Sequence, residues 1–256
     1  DIFLGYASHD GGLGVNGLSG WAVAALHEEA TIASVTPFAA IFNNLVVFDP
    51  AKVHESIDTV IPDLAESWSW DSTNTKLTFK LRQGVKWHDG QPFTAKDVQC
   101  TWRMLTGKTE TQDFKRNPRK VWYTKLQDVS VNGDYEATFE LSEPQPSLPV
   151  LLASAFSPVY PCHVPQQVMR TKPVGTGPFR FVEFKRGESV RLVRNPDYWK
   201  KDRPYLDEIT FRMIDSRATR MLAKATAASP TRPATTTARR SGSYSASASA
   251  IEKLSN

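Results

Sequence analysis

The sequence predicts an α/β fold with mixed sheets, and three observations carry that prediction. Short runs of alternating apolar and polar residues recur along the chain, the two-residue period of half-buried strands. One stretch, Thr94 to Gly107, holds the start and stop signals of an amphipathic helix. Glycine and proline pairs punctuate the chain between these segments, where turns are needed. With 256 residues, seven Trp and thirteen Phe, the chain can bury a core as one large domain or two smaller ones.

Residues 1–27 read least clearly. Gly12-x-Gly14-x-x-Gly17 formally matches a dinucleotide fingerprint, but the preceding SHDGG makes no buried strand. No acidic residue falls at the required distance beyond it, so a flexible glycine-rich leader is expected. Thr36-Pro37 then opens a short apolar helix through Ile41, and Leu45 to Phe48 reads as a strand.

The densest signal lies between Asp71 and Thr106. Leu77, Phe79 and Leu81 alternate with Thr78, Lys80 and Arg82. Gln83-Gly84 can turn the chain, and Val85 and Trp87 resume the alternation, which predicts a hairpin between the two runs. Asp89-Gly90 turns again, and Pro92 keeps the backbone extended. Thr94 is placed to cap a helix, with Asp97 in the capping-box position. Val98, Thr101, Trp102 and Leu105 follow at helical spacing, and Gly107 sits where a C-cap glycine belongs.

Lys108 to Lys120 is polar and reads as a surface loop. Val129 to Leu141 predicts a hairpin turning at Asn132-Gly133-Asp134. Pro144, Pro146 and Pro149 lead into a short apolar helix through Leu152. Gly175-Thr176-Gly177-Pro178 is a tight turn where glycine permits positive φ or close backbone approach. Strands follow at Phe179–Phe184 and Val190–Val193, then a turn at Asn195-Pro196-Asp197, then a strand at Ile209–Ile214. From Ala223 the text becomes Ala/Ser/Thr/Arg-rich without hydrophobic period, and 223–256 is expected to be a disordered tail.

The formal charge of +4 does not describe the body of the protein. Residues 223–256 hold Lys224, Arg232, Arg239, Arg240 and Lys253 against Glu252 alone, so of 31 bases and 27 acids the preceding body keeps 26 of each. A neutral body without an arginine-aromatic stripe argues against nucleic acid as a partner. No run approaches the ~18 apolar residues of a membrane span. The chain begins at Asp1 with no signal peptide, as a processed or trimmed export would. Cys100 and Cys162 allow one disulfide at most; Cys100 lies in the expected helix and Cys162 in a Pro-flanked loop, and the sequence leans against a bridge.

Catalytic chemistry finds little support. Ser19 in Gly17-Leu18-Ser19-Gly20 is not a nucleophile elbow. His9, His27, His54, His88 and His163 are scattered, no cofactor or metal site is expected, and His88 reads as structural. The protein is expected not to be an enzyme.

Leu64 to Val98 (LAESWSWDSTNTKLTFKLRQGVKWHDGQPFTAKDV) resembles the signature region of the family 5 extracellular solute-binding proteins, the peptide and nickel receptors of ABC importers. Val174 to Ile214 (VGTGPFRFVEFKRGESVRLVRNPDYWKKDRPYLDEITFRMI) resembles the same family in the same order, and NPRKVWYTKL and QPSLPVLLASAFSPVYPCHVP between them fit as well. The resemblance spans roughly Glu28 to Leu222. It implies mixed-sheet lobes of a type II-like periplasmic binding protein of cluster C, with the second large lobe missing from this chain. Residues 1–44 and 157–222 are expected to form part of a discontinuous larger lobe, and 45–156 a smaller lobe, the chain crossing twice between them.

The resemblance also implies a function: capture of a peptide or similar small organic solute in an inter-lobe cleft, for delivery to an ABC transporter permease outside the cytoplasm. The protein is expected to be monomeric and periplasmic or extracytoplasmic. The positions matching family cleft segments are Thr31, Trp122, Tyr123, Phe156 and Ser157, with Trp122 foremost. The charged groups that hold peptide termini in the family lie beyond the point where this chain departs from it, near residue 222. An incomplete lobe that binds nothing, or serves as an interaction fragment, is the alternative expectation.

Overall fold

The computed structural model describes residues 3–6, 38–109, 117–185 and 188–213. The Gly12-Gly14-Gly17 motif, Thr31 and the tail from Ala223 lie outside these residues.

Three sheets organise the chain. The central one is antiparallel, built from β4 (Ala65–Trp70), β5 (Lys76–Leu81), β6 (Leu126–Val131) and β7 (Glu136–Leu141) in the order β4-β5-β7-β6. Its period of two is visible in the burial: Leu77, Phe79 and Leu81 of β5 and Ala137, Phe139 and Leu141 of β7 all point inward. On the opposite face Thr78 and Thr138 sit side by side, hydroxyl to hydroxyl at 2.8 Å. Register shifts between Ala65 and Ser67 and between Leu126 and Asp128 offset the inward set, so Trp68 and Val129 still reach the core.

The helix α1 (Ala95–Thr106) covers this sheet, mainly over β6. Its cap forms as the sequence predicts: Asp97 accepts the Thr94 N–H at 2.9 Å. Gly107 ends it in the left-handed region at φ 75°, donating to the Arg103 and Met104 carbonyls. Trp102 packs edge-on against Phe139 with ring centroids 4.8 Å apart. Arg103 grips Asp128 of β6 through two hydrogen bonds, of 2.9 and 2.8 Å.

The hairpin expected from β5 into Val85 and Trp87 does not form. β5 pairs instead with β4 across the turn at Asp71–Thr75, and on its other side with β7. Val85 and Trp87 alternate because they sit in a small separate ladder: Lys86 bridges Pro92, and Phe93 donates to the Val85 carbonyl. Both side chains are buried, so the alternation reported burial correctly and strand partner wrongly. The hairpin β6–β7 forms as expected, with Gly133 at φ 67°.

A two-stranded ladder joins β2 (Val46–Phe48) to β3 (Val60–Pro62), and α2 (Leu148–Ala153) packs on it. The third sheet runs β1 (Phe3–Tyr6), β10 (Glu208–Met213), β9 (Ser189–Arg194), β8 (Phe179–Lys185). Its outer pair β1–β10 is parallel and the rest antiparallel, which makes the sheet mixed. The leader expected to be flexible therefore contributes a strand.

The apolar interior falls into two clusters. One collects Leu45 to Val159 around the central sheet, with Phe79, Trp87, Trp102 and Phe139 at its heart. The other joins Phe38, Ile41 and Phe42 to Tyr160, Met169, Phe179, Val190, Leu192, Ile209 and Phe211. A short helix, α3 (Gln166–Met169), contributes Met169 to this second cluster.

Cys100 and Cys162 form a disulfide, with Cα atoms 5.9 Å apart, where the sequence leaned against one. The pairing is non-local, 62 residues apart in the chain, and needs the return of the chain along α1, which no local pattern announces. Gly175 and Gly177 serve the close-approach role rather than a positive φ: a Cβ on either would collide with the Ile41 peptide. The Gly177 N–H donates to the Ile41 carbonyl at 2.9 Å.

Candidate functional site

Near Asn44 and near Pro158 the backbone passes from one cluster to the other, and these two crossings lie side by side. Asn44 bridges Pro158, and the Val159 N–H donates to the Asn43 carbonyl at 3.0 Å. The Asn44 amide holds the Leu152 and Ser154 carbonyls at 3.1 and 2.7 Å. Amide side chains suit this place, because the neighbouring backbone groups are buried and each needs a partner.

A polar network fills the seam beside the crossings. Asn43 donates to the carboxylate of Asp63 at 3.0 Å and to the Tyr198 hydroxyl at 3.2 Å, and accepts from Thr176 and from the Trp199 indole. Lys200 completes it with an ion pair to Asp63 at 2.9 Å. Burial pushes the Asp63 carboxyl up, and Lys200 acts against that shift. Arg82 and Lys200 both stand over the Trp199 ring, 5.1 and 5.0 Å from its centroid.

Further along the same seam, His88 accepts the Gly175 N–H at Nδ1 and donates from Nε2 to the Gly177 carbonyl at 2.9 Å. Those two bonds select the neutral tautomer, and burial pushes the ring down to about 4. Asp97 accepts the Cys162 N–H at 3.0 Å, Thr101 exchanges hydrogen bonds with the Tyr160 backbone, and the disulfide closes the far end. These ties bind one cluster to the other at several separate points. None of the network around Asp63 was singled out by sequence reasoning, since Asn43, Asp63, Thr176 and Tyr198 are spread across the chain without a spacing motif.

Four of the five cleft residues expected from the resemblance come together at one end of this seam, and the fifth, Thr31, lies outside the described residues. Trp122 and Tyr123 belong to a single 3-10 turn, Lys120–Tyr123. Phe156 and Ser157 immediately precede the second crossing. Trp122 meets Phe156 edge to face, with ring centroids 5.6 Å apart and both rings half-buried. Tyr123 and Ser157 are placed differently: both side chains are buried and bonded to each other at 3.0 Å, and Ser157 donates onward to the Leu151 carbonyl at 2.7 Å. Burial pushes the Tyr123 phenol up, which keeps it a neutral donor. Val121, beside Trp122, is 69% exposed.

Arg119, which the sequence reading passed over, lies directly behind this group. It is fully buried, donates to the Phe156 carbonyl at 2.6 Å, and holds its guanidinium 5.3 Å from the centre of the Phe156 ring. The arrangement offers an apolar, aromatic wall with enclosed hydroxyls behind it, suited to packing against an organic solute rather than to transferring protons. Among the described residues no three His, Cys, Asp or Glu side chains gather as a metal site would require. No described helix is long and apolar enough to cross a membrane.

Comparison with known proteins points the same way. The profile of the bacterial extracellular solute-binding proteins, family 5 Middle, matches residues 59–240. The oligopeptide-binding protein AppA of Bacillus subtilis (strain 168) is 36% identical over 172 residues, covering 64% of this chain and 30% of the relative. The di/tripeptide-binding protein 2 of Pseudomonas aeruginosa (strain UCBPP-PA14) is 31% identical over 191 residues, covering 66% of this chain and 34% of the relative. The chain thus spans about a third of the length of these curated relatives. Among solved structures, that of the binding protein MoaA from A.tumefacien R10 with mannopinic acid superposes with a TM-score of 0.71 at 26% identity, covering 88% of this chain and 43% of that one. The structure of B. subtilis AppA with a nonapeptide does so with a TM-score of 0.66 at 28% identity, covering 79% and 40%.

Proposed function

Since the chain belongs to the bacterial extracellular solute-binding proteins, family 5, we propose that it is the solute-capturing part of a receptor serving an ABC importer. Its solute is a peptide or an organic molecule of similar size. The observation that carries the reading is the Trp122–Phe156 pair, half-exposed and set beside the chain crossings at Asn44 and Pro158. Rings of that kind supply apolar area at low entropic cost, while a few oriented polar groups supply choice.

In this reading residues 45–156 are a smaller lobe, and 1–44 with 157–222 are part of a larger one; the two apolar clusters support that division. The seam network fastens the two together, and the Trp122–Phe156 pair sits beside it. Thr31 would join Trp122 and Phe156 at the solute, with Tyr123 and Ser157 supporting them from within. The disulfide supports a working place in an oxidising compartment, outside the cytoplasm, where a membrane permease would receive the solute.

Titrating the protein with a library of dipeptides to nonapeptides, followed by tryptophan fluorescence and calorimetry, tests the reading. Saturable binding is expected, and Trp122→Ala should weaken it about tenfold, the loss of roughly 1–2 kcal/mol of ring contact. Binding left intact by Trp122→Ala would remove the aromatic wall from the site. No binding by any peptide or small organic solute would leave a lobe without receptor activity.

A further inference from the structure

Arg119 is enclosed beside the aromatic pair, with no exposed surface. Its short bond to the Phe156 carbonyl, 2.6 Å, is joined by a longer one to the Tyr160 hydroxyl at 3.5 Å, and the same group lies 5.3 Å from the centroid of the Phe156 ring.

The sequence order makes this more than one contact. Arg119 immediately precedes the 3-10 turn Lys120–Tyr123, and Tyr123 closes it. Arg119 grips the carbonyl of Phe156, and Tyr123 grips the hydroxyl of the next residue, Ser157, at 3.0 Å. Both ends of one short turn therefore hold two successive residues of the opposing segment. Trp122 lies between the two grips, its ring against Phe156.

We propose that Arg119 is the positioning residue for the solute-facing aromatic pair: by fixing the Phe156 peptide and backing its ring, it sets the direction of Trp122. This rests on the proposed receptor function for its consequence in binding, but not for its geometry. Arginine is needed because one planar group must donate to a carbonyl and lie along a ring at once. A lysine ammonium is a point charge and can serve only one of these.

The test uses the ¹⁵N-labelled protein and the indole N–H resonance of Trp122, assigned by its loss in Trp122→Phe. In Arg119→Met the Trp122 signal should shift or broaden while those of the enclosed Trp87 and Trp102 stay in place. Arg119→Lys should move the same signal in the same direction, and it serves if the methionine variant does not fold. A peptide that binds the wild-type protein should bind either variant about tenfold more weakly. An unmoved Trp122 resonance in a folded Arg119 variant would overturn the proposal. Failure of the wild-type protein to bind any peptide would instead count against the receptor function, and the resonance would still decide the role of Arg119.

Discussion

At the residue scale the clearest consequence is at His88. Its two ring nitrogens are committed to the Gly175 N–H and the Gly177 carbonyl, an arrangement only the neutral ring can satisfy. Burial lowers it from 6.5 to about 4, so the folded protein takes up fewer protons than the unfolded chain between those values. The stabilisation is complete above pH 6.5 and is lost as the pH falls to about 4, amounting to roughly 3 kcal/mol. Urea unfolding followed from pH 7 to about pH 4 should show this slope, and His88→Asn should flatten it. A wild-type slope retained in the variant would place the titration elsewhere. The sequence offered His88 only as a structural residue, without its role, since its partners lie 87 and 89 residues away.

At the scale of the element, α1 shows which signals a sequence carries well. Thr94, Asp97 and Gly107 act within a few residues of one another, and the cap, the buried face and the left-handed stop all follow from local spacing. The partner of β5 was not legible in the same way. Alternation says that Leu77, Phe79 and Leu81 face a core, and Val85 and Trp87 share that property without sharing a strand. Pairing with β7 is settled by residues some sixty positions on, Phe79 opposite Ala137 and Leu77 opposite Phe139. The candidate site divides along the same line. Trp122 and Phe156 came from resemblance and do meet; Arg119 behind them was missed, because a single arginine in a polar segment gives no sign of burial.

Asp97 carries a prediction at this scale. Besides capping α1 it accepts the Trp87 indole N–H at 3.3 Å and the Cys162 N–H at 3.0 Å, so it ties the helix to two other segments. Asp97→Ala should therefore cost about 3 kcal/mol, a cap of ~1 kcal/mol plus buried donors left without acceptors, while Thr94→Ala should cost only about 1 kcal/mol. Equal losses in denaturant unfolding would reduce Asp97 to an ordinary cap.

For the whole molecule, the seam matters more than either cluster. The disulfide, the His88 bonds, the Asp63–Lys200 pair and the Asn44–Pro158 bridge are spaced along it, and each joins residues far apart in the chain. Closing a loop with a separation of 62 residues restricts the unfolded chain enough to be worth about 2–4 kcal/mol. The paired variant Cys100→Ser with Cys162→Ser should melt roughly 5–15 °C lower than the oxidised protein, and reduction of the wild type should approach the same value. A melting temperature unchanged by either treatment would mean that the remaining ties already hold the seam. The nested connectivity also sets a timetable. Phe38, Ile41 and Phe42 emerge early but, Met104 apart, find their buried cluster partners only when Tyr160 to Phe211 have followed. The segment from Leu45 to Val159 meanwhile holds most of its own partners. A chain delivered from its N-terminus, by ribosome or by translocation channel, can thus assemble its inner part first while the outer part waits with apolar side chains uncovered. That interval is where a holding chaperone would act, and where a chain arrested before Phe179 should aggregate.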